Sequence, residues 1–209
     1  MIRLAETATK LFISGVVFGV LLSCAGPRGS QTIKPLESYT TPIQRDIAQM
    51  VYPGFLEIQE EIALQFPKIP VRIQENGMQV RYLSKVPDVS EGYFIEIAVN
   101  IEPEFPDDMD LLQQAQQIGT VYFQKMLIAM SRDWNTVFSS SVTGTIFQYH
   151  WETETQNRMR VIFRNTDVQE YLNARMTLQQ LVDRSRIEGW QADQPLGRIE
   201  INGLSVEQA

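Results

Sequence analysis

Cysteine and histidine are nearly absent from this sequence, which has one of each among 209 residues. A single cysteine cannot form an internal disulfide, and these two residues are too few for a typical zinc site. A nucleophile from the serine run 139–141 would need His150 as its base, and the sequence has no G-x-S-x-G motif. We predict His150 to be a surface or edge residue and expect no catalytic residues.

Sequence motifs for bound nucleotides and calcium are missing as well. No glycine-rich loop joins a predicted strand to a predicted helix, so we expect no nucleotide cofactor. Four acidic residues gather near a predicted helix start, without the glycine or the spacing of a calcium loop. They are Glu104, Asp107, Asp108 and Asp110. Acidic side chains at this position stabilise the helix dipole, so we predict no metal site.

Basic residues are outnumbered, since 18 Lys and Arg against 25 Asp and Glu give a formal net charge of -7. Arg158, Arg160 and Arg164 alternate with apolar residues, which predicts the solvated edge of a strand. Phosphate binding uses clustered Lys and Arg, so nucleic acid is not an expected partner. An acidic domain is not attracted to anionic lipid, so membrane contact should come from an anchor alone.

Residues 1–23 have the organisation of an export signal. Two basic residues precede the apolar run 11–22, which is too short to span a bilayer as an ordinary helix. The run ends in Leu21, Leu22, Ser23 and Cys24. An aliphatic residue, a variable residue, a small residue and then cysteine is a pattern that resembles the lipobox of bacterial lipoproteins.

The resemblance implies that Cys24 is lipidated. In that family the cysteine thiol receives diacylglycerol, a dedicated peptidase cleaves before the cysteine, and the new amino terminus is often acylated, for example with palmitate. Several acyl chains give stable membrane anchoring. Members retained at an inner membrane usually carry Asp after the cysteine, where this chain has Ala25. In a Gram-negative host, the resemblance therefore implies the outer membrane, with the domain facing the periplasm.

Residues 24–40 comprise the cysteine and a segment rich in Gly, Pro, Ser and Thr, which predicts a flexible tether. Thr41 and Pro42 then predict a helix start. The apolar spacing that follows predicts two short helices separated at Pro53 and Gly54. Residues 41–209 are predicted to form a single domain.

The sequence around Asn76 and Gly77 predicts a two-residue β-hairpin with a type I′ turn. Alternating apolar residues on either side would pair Ile73 with Val80 and Val71 with Tyr82. A further strand is predicted at 93–102. The longest helix is predicted from about 107 to 132, with one apolar stripe. That stripe is Leu111, Ala115, Ile118, Tyr122, Met126 and Ala129.

Two strands are predicted on either side of a turn at 152–157, with the inward residues Phe147, Tyr149 and Trp151 on the first and Met159, Val161 and Phe163 on the second. A capping box of Thr166 and Gln169 predicts a helix that extends to about Arg184. A last short strand is predicted at 198–202. These elements predict an α+β domain with a mainly antiparallel sheet and helices packed on one face. The aromatic stripe would form half of the core between sheet and helix, or alternatively a groove for a lipid, peptide or glycan.

The anchor, the tether and the missing catalytic residues lead to one functional hypothesis. It is a membrane-anchored, non-enzymatic envelope lipoprotein that binds another envelope protein as an assembly or scaffold module. The alternative is a small-molecule or lipid carrier with a cavity between the sheet and the long helix, and a carboxylate-based hydrolase is third. An aromatic-lined pocket would favour the carrier, converging acids the hydrolase, and an exposed apolar patch the protein-binding module.

Overall fold

The computed structural model describes residues 31–106, 108–131 and 141–204. The predicted signal and lipobox lie outside the described residues, and so do Asp107, Arg132, Ser139 and Ser140. The described chain is an α+β fold, as the sequence predicts. None of its helices is both long enough and apolar enough to cross a bilayer.

The helices and strands alternate in small groups along the chain. The helices are α1 (Pro42–Gln65), α2 (Leu111–Ile118), α3 (Gln124–Ser131), α4 (Asn165–Leu172) and α5 (Leu178–Asp183). The strands are β1 (Val71–Leu83), β2 (Gly92–Ile101), β3 (Gly144–Glu152), β4 (Gln156–Arg164), β5 (Arg186–Gln191) and β6 (Gln194–Arg198). A π-helical segment, Gly119–Phe123, joins α2 to α3.

The six strands form one sheet in which spatial order follows chain order. Neighbouring strands are antiparallel except for β2 and β3, which are parallel. A parallel pair needs a crossover connection, and α2, the π-helical segment and α3 lie within it. The buried side chains of the helices belong to one apolar cluster on one face of the sheet. We call that side the helix face.

The predicted break at Pro53 is wrong, because α1 is continuous from Pro42 to Gln65. Proline in a helix interior costs about 3 kcal/mol. Val51, Phe55 and Ile58 are fully or almost fully buried around it, and each such side chain contributes roughly 1.5–3 kcal/mol. Burial along one helical stripe therefore outweighs the local cost of the proline.

The predicted hairpin at Asn76 and Gly77 is also wrong. β1 is one strand of 13 residues that pairs with β2 along its whole length, and residues 74–77 bulge opposite Ala98 alone. Asn76 has a positive φ of 55°. Asparagine adopts this conformation more readily than most residues, and here it does so in a bulge and not in a turn. A Cβ at Gly77 would lie 2.6 Å from the Ala98 carbonyl oxygen, so the bulge requires glycine.

A two-residue hairpin occurs instead between β5 and β6, at Ala192 and Asp193. Both residues have positive φ, 45° and 63°, as a type I′ turn requires.

The predicted helix to Arg184 is two short helices, separated near Ala174, whose φ is 55°. The capping box forms at Thr177 with Gln180 and not at Thr166, and β5 occupies a region for which no strand was predicted.

The predicted aromatic core is confirmed. The inward residues of β3 and β4 are buried on the helix face, and nearly all of the predicted stripe of the long helix is buried against them. The π-helical segment shifts the helical register, so Tyr122 and Phe123 are both buried. Phe123 lies 5.6 Å from Tyr149, ring centroid to ring centroid.

Each edge of the sheet has a feature that limits pairing with another strand. Beside β1, Met78 N donates to Thr32 O and Lys34 N donates to Met78 O, both at 3.0 Å, so residues 31–34 lie along this edge. The edge strand β6 is short and contains Pro195 and Gly197, which makes it a poor template for another strand. An edge-to-edge partner is therefore disfavoured.

Candidate functional site

The sheet face opposite the helices carries a concentration of arginines. Side chains on a strand alternate between faces, and residues paired across strands share a face. By this rule every arginine of the six strands lies on the face away from the helices. They are Arg72, Arg81, Arg158, Arg160, Arg164, Arg186 and Arg198. We call this surface the arginine face.

The β4 arginines lie together on one side of that strand, as predicted, but Arg158 and Arg160 are half-buried because β4 pairs with both β3 and β5. One end of the arginine face is apolar, with Leu83, Phe94, Ile146 and Ile162 under Val86 and Val89 of the β1–β2 loop. The rest of the arginine face is polar. This face therefore has an apolar end under the β1–β2 loop and a polar remainder that carries the arginines.

Glu96 neutralises one part of the arginine face. Its side chain is only 1% exposed, and its Oε2 lies 2.5 Å from Arg81 Nε. Gln79 and Gln148 donate to its Oε1 at 3.0 and 3.3 Å. A buried carboxylate needs this combination of ion pair and hydrogen bonds to offset desolvation.

Glu188 neutralises a second part of the arginine face. Arg186 Nε and Arg160 Nε donate to its two oxygens at 2.7 and 3.0 Å. Burial alone would raise the pKa of the Glu188 carboxyl, but these hydrogen bonds outweigh burial and hold the pKa below its ordinary value. Asp88 of the β1–β2 loop lies 3.7 Å from both Arg186 and Arg198, N to O.

Arg158 is the exception on this face. Arg72 pairs with Glu102 at 3.4 Å and Arg164 with Asp167 at 2.7 Å, so six of the seven arginines have a carboxylate partner. Among the described residues no carboxylate pairs with Arg158.

Trp190 takes the place of a carboxylate beside Arg158. The guanidinium carbon of Arg158 lies 4.2 Å from the Trp190 ring centroid, and that of Arg160 lies 5.3 Å from it. Arg158 Nε is buried and has no hydrogen-bond partner within the described chain. Cation–π contact stabilises the arginine but does not use its N–H groups.

His150 is paired with Arg158 across β3 and β4. It lies on the face away from the aromatic stripe, as predicted, and its side chain is half-buried on β3, which is an interior strand and not a sheet edge. Burial and then the charge of Arg158 lower the pKa of His150 to about 4. Its Nε2 is buried without a hydrogen-bond partner in the described structure. The imidazole is therefore neutral near pH 7.

A pocket of about 490 Å³ opens beside His150 at one end of the arginine face. Amide side chains line it at Gln74, Asn100, Gln156 and Asn157, and carboxylates at Glu102 and Glu152. Gln74 Nε2 donates to Asn100 Oδ1 at 2.8 Å. The pocket thus offers mainly uncharged donors and acceptors, next to Arg158, the arginine of this face that has no carboxylate partner in the described structure.

Side chains fill the space between β3 and the predicted long helix, which the structure divides into α2, the π-helical segment and α3. Phe147 and Phe163 pack at a centroid distance of 5.7 Å, and Phe123 covers Tyr149. Trp151 Nε1 donates to Gln114 Oε1 at 2.8 Å. These contacts form a closed core at the position where a carrier would need a cavity.

The acidic residues at the helix start have a structural role at Asp110. Its Oδ1 accepts from Gln113 N at 2.8 Å, and Gln113 Oε1 accepts from Asp110 N at 2.9 Å, so the two form a capping box. Within the described residues, no group of three or more His, Cys, Asp or Glu side chains could hold a metal ion.

No protein-family model matches this chain, and no curated protein matches it significantly. The candidate site consequently rests on the geometry of the arginine face. Sequence reasoning missed Trp190 and Glu188 as members of this face, and it placed Glu96 on the polar side of its strand without its partner Arg81. Alternation of Glu188 and Trp190 with Ile187 and Gly189 was the available signal, but β5 is too short for that signal to be decisive.

Proposed function

We propose that this protein is a membrane-anchored envelope lipoprotein whose domain binds another envelope protein and has no enzymatic activity. The anchor in this proposal is lipid on Cys24, supported by its resemblance to the lipobox. The docking surface in this proposal is the arginine face, centred on Trp190, Arg158 and Arg160.

The composition of the arginine face is the observation that carries the proposal. Tryptophan and arginine are enriched among the residues that dominate protein–protein binding energy. Here a tryptophan lies against two arginines, and the surrounding carboxylates fix the neighbouring guanidinium groups. Fixed side chains lose less conformational entropy on binding than mobile ones. The surface is arginine-rich and not the apolar patch expected for such a module.

The carrier hypothesis receives less support. It requires an aromatic-lined cavity between the sheet and the long helix, where Phe123, Tyr149 and Phe163 pack against one another. The sheet edges are less suited to docking, because residues 31–34 occupy the middle of one edge strand at Asn76 and Met78 and Pro195 interrupts the other edge. The arginine face remains the better candidate surface.

Site-specific photo-crosslinking in cells tests the proposed surface. A photoreactive residue at Glu152, on the arginine face, should form a specific protein adduct, and one at Glu60, exposed on α1, should not. Trp190→Ala should abolish the Glu152 adduct and weaken binding of the purified partner at least tenfold, as loss of a central interface tryptophan does. An adduct that forms from Glu60 and persists with Trp190→Ala would place the interface elsewhere.

A further inference from the structure

We infer that Arg158 is the recognition residue of the arginine face and binds a single aspartate or glutamate side chain within an otherwise polar segment of the partner protein. This inference rests on the proposed docking function of the face. The argument for an acidic ligand is charge complementarity. The other six arginines of the face have carboxylate partners within the chain, and in the described structure Arg158 has none.

Trp190 orients the Arg158 guanidinium for this role. With the guanidinium carbon 4.2 Å from the ring centroid, the arginine is held against the tryptophan. Because Nε is buried, the two Nη groups are the donors available to a ligand, and a pair of guanidinium donors matches the two oxygens of a carboxylate. A held guanidinium loses less freedom on binding than an unrestrained side chain.

The local charge balance favours a carboxylate over a phosphate. A phosphate monoester carries about -1.5 to -2 charges at pH 7, whereas Arg158 supplies one unpaired positive charge. Its neighbour Arg160 is engaged by Glu188, and His150, with a pKa of about 4, adds no charge near pH 7.

The adjoining pocket suits a peptide. Gln74, Asn100 and Gln156 present amide groups beside His150, and amide side chains both donate to and accept from a peptide backbone. Glu152, and Glu102 with its Arg72 partner, line the same pocket, and Glu152 would repel a second acidic residue placed there. The expected ligand is therefore a peptide with one acidic residue against Arg158 and polar residues toward the pocket.

Fluorescence anisotropy with short labelled peptides tests this inference on the purified full-length chain. The probes are Gly-Ser-Glu-Gln-Ser-Gly, which has one acidic side chain, and its glutamine counterpart Gly-Ser-Gln-Gln-Ser-Gly. We expect the glutamate peptide to bind at least tenfold more tightly, and the difference to shrink as salt is raised. Arg158→Gln should remove the difference between the peptides.

Arg198→Gln is the matched control, because Arg198 lies on the same face but is paired with Asp88. It should leave the preference for the glutamate peptide within about twofold of the wild type. Equal loss in both variants, or no preference in the wild type, would overturn the inference. Stronger competition by phosphatidylglycerol vesicles than by the peptide would also overturn it, in favour of a lipid ligand. Urea unfolding of each variant checks that the fold is retained.

The crosslinking experiment separates this inference from the proposed function. If the Glu152 adduct is lost with Trp190→Ala but retained with Arg158→Gln, the arginine face binds a partner without acidic recognition. If no specific adduct forms at Glu152, the proposed docking function itself fails. Loss of the adduct with both variants, together with the peptide preference, supports both.

Discussion

Arg158 and His150 are cross-strand partners, and the positive charge of Arg158 contributes to the low pKa of the histidine. Arg158→Gln should therefore raise the pKa of His150 above about 4. The pKa should stay below 6.5, because burial is the larger cause and remains. NMR titration measures it directly, since the chain has one histidine. Arg198→Gln should leave it unchanged, and an unchanged pKa in Arg158→Gln would contradict the assignment.

The low pKa of His150 also predicts a pH-dependent free energy of unfolding. Histidine titrates near 6.5 in an unfolded chain and here near 4 when folded. Between these pH values the unfolded state binds more protons, so stability falls as the pH decreases from 6.5 toward 4 and is fully present above 6.5. His150→Asn should show a smaller loss of stability between pH 7 and pH 5 in urea unfolding. An identical loss in variant and wild type would show that other groups cause it.

Tyr149 offers a test of the closed core. Tyr149→Ala should lower the free energy of unfolding by roughly 3–5 kcal/mol, since it leaves a cavity among packed aromatic rings. Tyr149→Phe should leave it unchanged or raise it by up to about 1 kcal/mol, because the Tyr149 hydroxyl is buried without a hydrogen-bond partner in the described structure. Leu64→Ala, at a side chain that is 66% exposed, is the control and should change it by less than about 0.5 kcal/mol.

A lipid carrier would respond differently to Tyr149→Ala. Trimming an aromatic that lines an existing cavity removes ligand contacts with little change in stability. Urea unfolding of Tyr149→Ala, read beside a ligand-binding assay, distinguishes the two cases. A loss of less than about 1 kcal/mol would be evidence against a packed core at this position.

The segment before α1 should contribute to stability. Ile33 and Tyr39 are 6% and 3% exposed, and Val80 N donates to the Tyr39 hydroxyl at 3.0 Å. A chain that begins at Gln31 should therefore unfold at a higher urea concentration than one that begins at Thr41. Burial of the two side chains predicts a difference of about 3–6 kcal/mol as an upper bound. Equal midpoints would mean that the segment adds nothing to the fold.

The lipid anchor is tested at Cys24. Cys24→Ser should leave an uncut precursor and prevent labelling with a fatty-acid analogue, because the thiol is the group that the lipobox resemblance marks for diacylglycerol. Ser23→Ala, which keeps a small residue before the cysteine, should retain both cleavage and labelling. Normal labelling of Cys24→Ser would exclude lipid attachment at this residue.

Alternation of apolar and polar residues was sufficient to predict the faces of the central strands. Phe147, Tyr149 and Trp151 are buried because a strand of alternating character has one face that can be removed from water. The same rule placed His150 on the opposite face. Its partial burial could not be predicted, because alternation assigns a side chain to a face and does not say how far neighbouring strands cover it.

Local sequence signals for turns and helix ends were less informative, because each signal is compatible with more than one structure. Asn76 with Gly77 fits a type I′ turn and also fits a bulge, and pairing with β2 selects the bulge. Pro53 ends many helices, but long-range burial keeps α1 continuous. Ala192 and Asp193 form the actual two-residue turn without the usual glycine, so no sequence signal marked them.

The segment that lies along β1 limits how far the domain can stand from a membrane. If lipid is attached to Cys24, seven residue steps separate the anchor from Gln31, where the described chain begins to contact β1. A fully extended chain of that length spans about 25 Å at most. Strands are spaced about 4.8 Å apart, so β5 lies on the order of 20 Å across the sheet from β1. Trp190 would then reach only partners whose exposed segment lies within roughly 45 Å of the bilayer surface.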